Sequence, residues 1–375
     1  MRLHQALLAL LPVVITLAAP SPALERQTRD VYIVHQVNRL TSDTAIEIWN
    51  QDGTEILGYS CSAELSSGAF QDSPITFDID ANRDGAGNLT IGAHTYAIHD
   101  DVNLSGGISC GRISSPGEIM IKCLVPLSGD LASAELAPLN KRDLASCFQK
   151  SFDLLQVMSS LEGGTEMTAA SELQEFTAEH EVELGQDAID IEGHNHTGTL
   201  AQRQGTRLCE TSPRIHFTER VGNGNPHQNP RHVQLSEPME CPPNNGCEIG
   251  HSNARSYSVG WSAGISPFGW ISGGFAVQET IETGNTHTCY GSPRDFFAIW
   301  KCQGQTAYTV RNAWRARPGC GTGSGISSSN FVIWSPNEQN RQGFYYCVYG
   351  RNYVRAIGDN WLDTTDAYPW GPLGP

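Results

Sequence analysis

Polar and apolar positions alternate most regularly in the C-terminal half. Between Ser256 and Ser266 the odd positions are Tyr257, Val259, Trp261, Ala263 and Ile265, and the even ones are serine or glycine. A period of two predicts a half-buried β-strand. A Pro267-Phe268-Gly269 break follows. A second run from Phe275 to Thr283 then places Phe275, Val277 and Ile281 on one face. Further β-rich runs are Phe296–Cys302, Thr306–Arg311, Phe331–Trp334 and Phe344–Arg355.

The N-terminal third shows the same period. Ala45–Trp49 and Glu55–Leu57 flank Asp52-Gly53, a dipeptide that accepts the positive φ of a tight hairpin turn. Ile75–Ile79, Leu89–Ile91, Thr95–Ile98 and Glu118–Cys123 read as further strands. Between the β regions, Leu144, Phe148, Phe152 and Leu155 recur at helical spacing and predict one amphipathic helix ending at Gly163-Gly164. Thr165–Leu184 is an acidic stretch, read equally as a second helix or as a linker or propeptide. Residues 193–235 show no clear period.

The expected class is therefore mainly β, sandwich-like, with two disulfide-bonded β domains (24–140 and 236–375). A helical and acidic connector (141–235) would join them.

Positions 1–23 read as a secretory signal peptide: Arg2 and His4, an apolar run Ala6–Ala19, and small residues Ser21-Pro22-Ala23. Secretion to an extracellular, oxidising compartment turns cysteines into disulfide candidates. The chain has 11: Cys61, Cys110, Cys123, Cys147, Cys209, Cys241, Cys247, Cys289, Cys302, Cys320 and Cys347. The number is odd, so one lacks a partner within the chain. Three sequons, at Asn88, Asn103 and Asn195, permit N-glycosylation. Lys141-Arg142 is a dibasic pair, read either as a kexin-type processing site or as two solvated cations. If Cys147 pairs backward across it, the N-terminal part holds four cysteines and the odd thiol lies downstream.

The net charge of −16 is unevenly spread. Leu161–Glu192 carries ten Asp/Glu and no Lys or Arg, whereas the chain from Gly193 onward has fourteen Lys/Arg against twelve Asp/Glu. An acidic chain of this kind offers no electrostatic footing for nucleic acid.

Candidate chemistry is sparse. Two G-x-S-x-G matches, around Ser109 and Ser262, lack the helix that should follow a nucleophile elbow, so they read as small residues on a sheet. No catalytic residue is assigned, and no cofactor is expected. Asp80, Asn82 and Asp84, with Gly85, match the opening of a calcium loop, but position twelve is Ile91 and no helices flank it. His180, His194 and His196 fit no established metal spacing. Tyr349, Arg351, Tyr353 and Arg355 share strand parity and form a candidate ligand face, with in-sheet packing as the alternative.

Ser67–Phe70 with Pro74–Asp80, and Tyr257–Trp261, Ile271–Phe275 and Thr306–Arg311, resemble fungal secreted cysteine-rich candidate-effector proteins. The resemblance covers both β regions but not the acidic middle. It implies secretion and a host- or competitor-directed role, with no reaction attached. The leading expectation is a non-enzymatic effector or toxin-like virulence protein that meets a surface component, glycan or membrane. The alternatives are a membrane-acting β-hairpin or killer-type toxin, and a glycan-binding or hydrolytic cell-wall protein.

Overall fold

The computed structural model describes residues 28–134, 136, 138–139, 147, 154–163, 213–250, 258–259, 281–282, 287–336 and 343–364. The strands before the acidic stretch are β1 (Thr28–Asn38), β2 (Thr44–Asn50), β3 (Ile56–Ser60), β4 (Glu64–Leu65), β5 (Ile75–Asp80), β6 (Ala86–Ile91), β7 (His94–Ala97), β8 (Ser109–Ser114) and β9 (Glu118–Ser128). Three helices follow the order α1 (Val102–Ser105), α2 (Asp130–Ser133) and α3 (Leu154–Gly163). After the acidic stretch come β10 (Arg214–Arg220), β11 (His227–Gln228), β12 (Arg231–Gln234), β13 (Met239–Glu240), β14 (Cys247–Ile249), β15 (Ser258–Val259), β16 (Ile281–Glu282) and β17 (Cys289–Gly291). The last are β18 (Phe296–Gln303), β19 (Gln305–Ala316), β20 (Ser324–Ile326), β21 (Phe331–Pro336), β22 (Phe344–Tyr349) and β23 (Asn360–Leu362).

The protein is mainly β, and one antiparallel sheet dominates it. Its order is β23-β12-β18-β22-β8-β9-β1-β2-β3, with β13 also paired to β18. Both β regions carry their own disulfides, and they meet edge to edge in this sheet. The seam is the pairing of β22 with β8, where Cys347 faces Ser114, Val348 faces Ile113 and Tyr349 faces Arg112.

Alternation decides which side each residue covers. Val31 and Ile33 of β1 and Ile119, Ile121, Val125 and Leu127 of β9 point to one side. There they pack on Leu65, Ile75, Phe77, Leu89 and Ile91 of the four-stranded sheet β4-β5-β6-β7. Two sheets face to face over an apolar layer make this part sandwich-like. On the opposite side, Val34, Ile113 and Met120 join Ala298, Trp300, Cys302, Tyr346, Val348 and Trp361. That layer is roofed by α3, whose Leu154, Val157, Met158 and Leu161 recur at i, i+3, i+4 and i+7. A helix thus ends at Gly163 as expected, but the stripe it buries is Leu154, Val157, Met158 and Leu161; Leu144, Phe148 and Phe152 of the expected stripe lie outside the described residues. A second, five-stranded sheet groups β10, β11, β20 and β21 around β19.

Three strands, β10, β11 and β12, fall within the stretch read as connector. Alternation did not reveal β12 because its buried positions are largely polar: His232, Val233 and Gln234 are all buried. Two of their polar atoms find partners far along the chain, His232 Nδ1 with the Tyr346 hydroxyl at 2.9 Å and Gln234 Oε1 accepting the Arg355 amide at 2.8 Å.

The disulfides are Cys61–Cys147, Cys110–Cys123, Cys241–Cys247 and Cys289–Cys347. Cys320 is also disulfide-bonded, and Cys209 lies outside the described residues. Among the described residues the free cysteine is Cys302, fully buried on β18, and burial pushes its thiol pKa far up. Such a thiol is chemically inert while the fold holds. Cys147 does pair backward, across Lys141-Arg142, which themselves lie outside the described residues.

Candidate functional site

The densest polar cluster lies at the seam. Asp80 caps a short 3₁₀ turn through Asn82 N at 2.9 Å, and the chain then reaches Asp84 in the left-handed region (φ 54°). Gly85 follows at φ 81°, where a Cβ would come within 2.7 Å of Ile119. The turn drives the Asp84 carboxylate inward, to 3 % exposure. Oδ1 accepts from Arg39 Nη2 and Ser114 Oγ, both at 2.8 Å. Oδ2 accepts from the Tyr290 amide at 2.9 Å and the Tyr349 hydroxyl at 2.8 Å. Burial alone would raise the Asp84 pKa, but these donors hold it below the usual carboxylate value.

These contacts fit an ordinary Asp/Asn/Gly turn, the alternative to a calcium loop. Asp84 has its acceptor positions filled by protein donors, Asp80 is spent on the cap, and Asn82 is exposed. The sequence pattern of a calcium loop and of an Asp/Asn/Gly turn is the same; the partners, all distant in sequence, decide between them.

A second carboxylate repeats the arrangement. Arg112, 2 % exposed, donates from Nη2 to Asp295 Oδ2, which also accepts the Ser292 amide at 2.6 Å. Its guanidinium stacks 4.0 Å above the Tyr349 ring. His99 Nδ1 accepts the Asp101 amide at 2.9 Å, and its Nε2 lies 3.9 Å from Asp295 Oδ1. Asp100 Oδ2 accepts the Arg351 amide at 2.8 Å. Arg39, Asp84, His99, Asp100, Arg112 and Ser114 come from the first β region, and Tyr290, Asp295, Tyr349 and Arg351 from the second. The cluster is an electrostatic clasp with a buried centre (Asp84, Arg112, Ser114, Asp295 and Tyr349) and an exposed rim that includes Tyr290 and Arg351.

The proposed ligand face does not hold together. β22 ends at Tyr349, and Gly350–Tyr353 turns away. Tyr349 is buried in the clasp, and burial followed by the Asp84 charge raises its pKa well above the ordinary value. Tyr353 lies across Gly111, whose absent side chain gives room to the ring, and donates to Glu162 Oε1 at 2.7 Å. Arg355 is turned to the Leu161 carbonyl at the end of α3. Arg351 alone is half open, paired with Glu240 at 2.8 Å.

Other candidates scatter. Ser109 sits in β8 and donates to the Asp100 carbonyl at 2.9 Å, which is no nucleophile elbow. Asn88 is exposed on β6 and Asn103 is exposed in α1. Ser262, His180, His194, His196 and Asn195 lie outside the described residues. His287, Cys289 and Cys347 bring a nitrogen and two sulfurs within 4.8 Å of one another, but the sulfurs are bonded together and are not thiolates.

Three features carry no alternation signal. Arg112 and Asp295 are one. Lys301 is another: it is buried, 5.2 Å from the Tyr345 ring centroid, with its pKa lowered to about 8 by burial. The third is a groove of about 610 Å³ between the β6–β7 turn and the end of β9, lined by residues that include Asp72, Ser73, His94, Tyr96 and Pro126.

Within residues 251–286 the structure describes only β15 and β16. β15 pairs with β16 antiparallel, Ser258 opposite Glu282 and Val259 opposite Ile281. Comparison with protein-family models, curated proteins and solved structures finds no match for this chain. Among the described residues no helix is long and apolar enough to cross a membrane.

Proposed function

We propose that the chain is a secreted, non-enzymatic, toxin-like protein that acts on a target membrane through a β-hairpin between Ser258 and Glu282. The observation that carries this reading is the register at the hairpin base, Ser258 opposite Glu282 and Val259 opposite Ile281. Continued inward in an inserted form, that register would centre the hairpin on Trp270. It would place Ala263 opposite Val277 and Ile265 opposite Phe275. Val259, Trp261, Ala263 and Ile265 of one arm would then share a side with Phe275, Val277 and Ile281 of the other, interrupted by Glu279. Serine, glycine, glutamine and threonine would fill the other side, with Ala276. Two alternation patterns, read independently from each arm, agree in phase at the register of the base.

Arms 258–267 and 273–282 match the roughly 9–11 residues of a membrane-spanning strand. A lone hairpin would leave open edges in lipid, so several copies must close a barrel. The disulfide-bonded β fold supports an exported protein.

The test is dye release from vesicles and target cells. Leakage with high-mass oligomers on the membrane is expected. Ile265→Asp, on the apolar side, should abolish it, while Ser262→Asn, on the polar side, should leave it. Absence of leakage from every membrane tried would overturn the membrane reading and leave the effector role without lysis.

A further inference from the structure

Beyond the hairpin, and independently of it, we infer that the groove between the β6–β7 turn and the end of β9 is a binding site for a neutral sugar. The groove encloses about 610 Å³, within the roughly 300–1,000 Å³ of small-ligand sites. Its walls are apolar in patches and polar in patches. The Tyr96 ring and Pro126 offer flat apolar surface, of the kind that packs on the C–H face of a pyranose. Asp72, Ser73 and His94 offer acceptors and donors around that surface.

Three observations choose the ligand class. First, no Lys or Arg lines the groove, and its one acidic side chain is Asp72. An anionic ligand would meet a carboxylate with no counter-charge, whereas the hydroxyls of a neutral sugar can donate to it. Second, the side chains of Asp72, Ser73, His94 and Tyr96 make no hydrogen bond, ion pair or ring contact to another described residue. Their polar atoms are therefore available to a ligand, in contrast to the seam, where each carboxylate is engaged. Third, the wall is rigid. Gly92 turns at φ 56° with Ser73 3.3 Å from where a Cβ would sit, and its amide donates to the Pro74 carbonyl at 2.9 Å. Tyr96 is packed against the core shared with β9. A pre-set wall spares a ligand the cost of ordering it.

The experiment is a glycan array probed with the intact protein, carrying neutral, sialylated and sulfated glycans. It is followed by isothermal titration of a neutral hit against the wild type, Tyr96→Ala and Asp72→Asn. Binding to neutral glycans is expected, weakened roughly tenfold or more by each substitution. Tyr96 is half-buried, so Tyr96→Ala is read only if its thermal unfolding matches the wild type; Asp72→Asn, at an exposed position, carries the test otherwise. Empty neutral spots, binding confined to anionic glycans, or neutral binding that survives Asp72→Asn would each overturn the proposal. Vesicle leakage is scored separately, so loss of sugar binding with leakage intact, or the reverse, tells which of the two readings has failed.

Discussion

At the seam, Asp84 is 3 % exposed and accepts from Arg39, Ser114, Tyr290 and Tyr349. At the groove, Asp72 is exposed and has no hydrogen-bond or ion-pair partner among the described residues. The two carboxylates lie in one β region and are chemically alike, but they are in opposite states. Burying a carboxylate is costly unless donors replace its water, so a buried one marks a place where the fold commits its polar groups to itself. An open one beside an aromatic ring marks a place where those groups remain for something else. Partners, not residue type, separate the joint that holds the protein together from the surface that offers binding.

Breaking the seam should have the largest effect. Asp84→Asn leaves Arg39 without its charge partner and weakens four hydrogen bonds at once. We expect a loss of about 3 kcal/mol or more, since removing one member of a buried pair strands the other. Denaturant unfolding would report it. A loss below about 0.5 kcal/mol, the usual range for surface changes, would mean that the clasp is not a structural joint.

Acid should come next. His35 stacks on Phe77 with its Nδ1 bonded to the Ala45 carbonyl, and burial lowers its pKa to about 4. His232 stacks on Trp361, and burial lowers its pKa to about 3. Both are therefore neutral in the folded state and near 6.5 in the unfolded chain. The unfolded state binds more protons between those values, so stability is full above about pH 6.5 and falls as the pH drops through the window toward 4 and 3. Each site should contribute roughly 2 kcal/mol less at pH 5 than at pH 7. Asp84, whose folded pKa is depressed, adds its own loss only below the ordinary carboxylate range. Thermal unfolding across pH 4–7.5 would show the slope, and His35→Gln should flatten part of it. A flat profile would sink the account.

How much of this could be read along the chain follows from the same physics. Strands with one apolar face, such as β5 and β6, announce themselves by alternation. β12 does not, because Arg231-His232-Val233-Gln234 buries polar groups whose partners come from β22 and the turn after it. The clasp was illegible for a stronger reason: Asp84 and Tyr349 are 265 residues apart. Nothing local distinguishes their contact from a calcium turn and an aromatic face. Cysteine counting did better. The backward pairing of Cys147 was one of its branches, and it left the odd thiol downstream, where Cys302 lies.

At the groove the same substitution used at the seam should leave stability almost untouched. Asp72→Asn is expected to change unfolding by less than about 0.5 kcal/mol, against about 3 kcal/mol or more for Asp84→Asn. Equal losses at both positions would erase the contrast.

The smallest expected change comes from cutting the chain after Arg142. The bond lies between Cys61 and Cys147, which are joined, so the two pieces must remain one covalent molecule until reduced. They are also held by the ten residues of the seam network and by α3, whose Glu162 takes the Tyr353 hydroxyl while its Val157 and Met158 pack among residues from both β regions. None of these contacts needs the peptide bond at 142–143. A kexin-type protease should therefore raise the unreduced mass by one water and shift thermal unfolding little, with two bands appearing only after reduction. If the pieces separate without reductant, the Cys61–Cys147 pairing is wrong. If the pieces stay linked but unfolding falls sharply, the seam depends on the continuous chain, and the view of it as a self-sufficient joint fails.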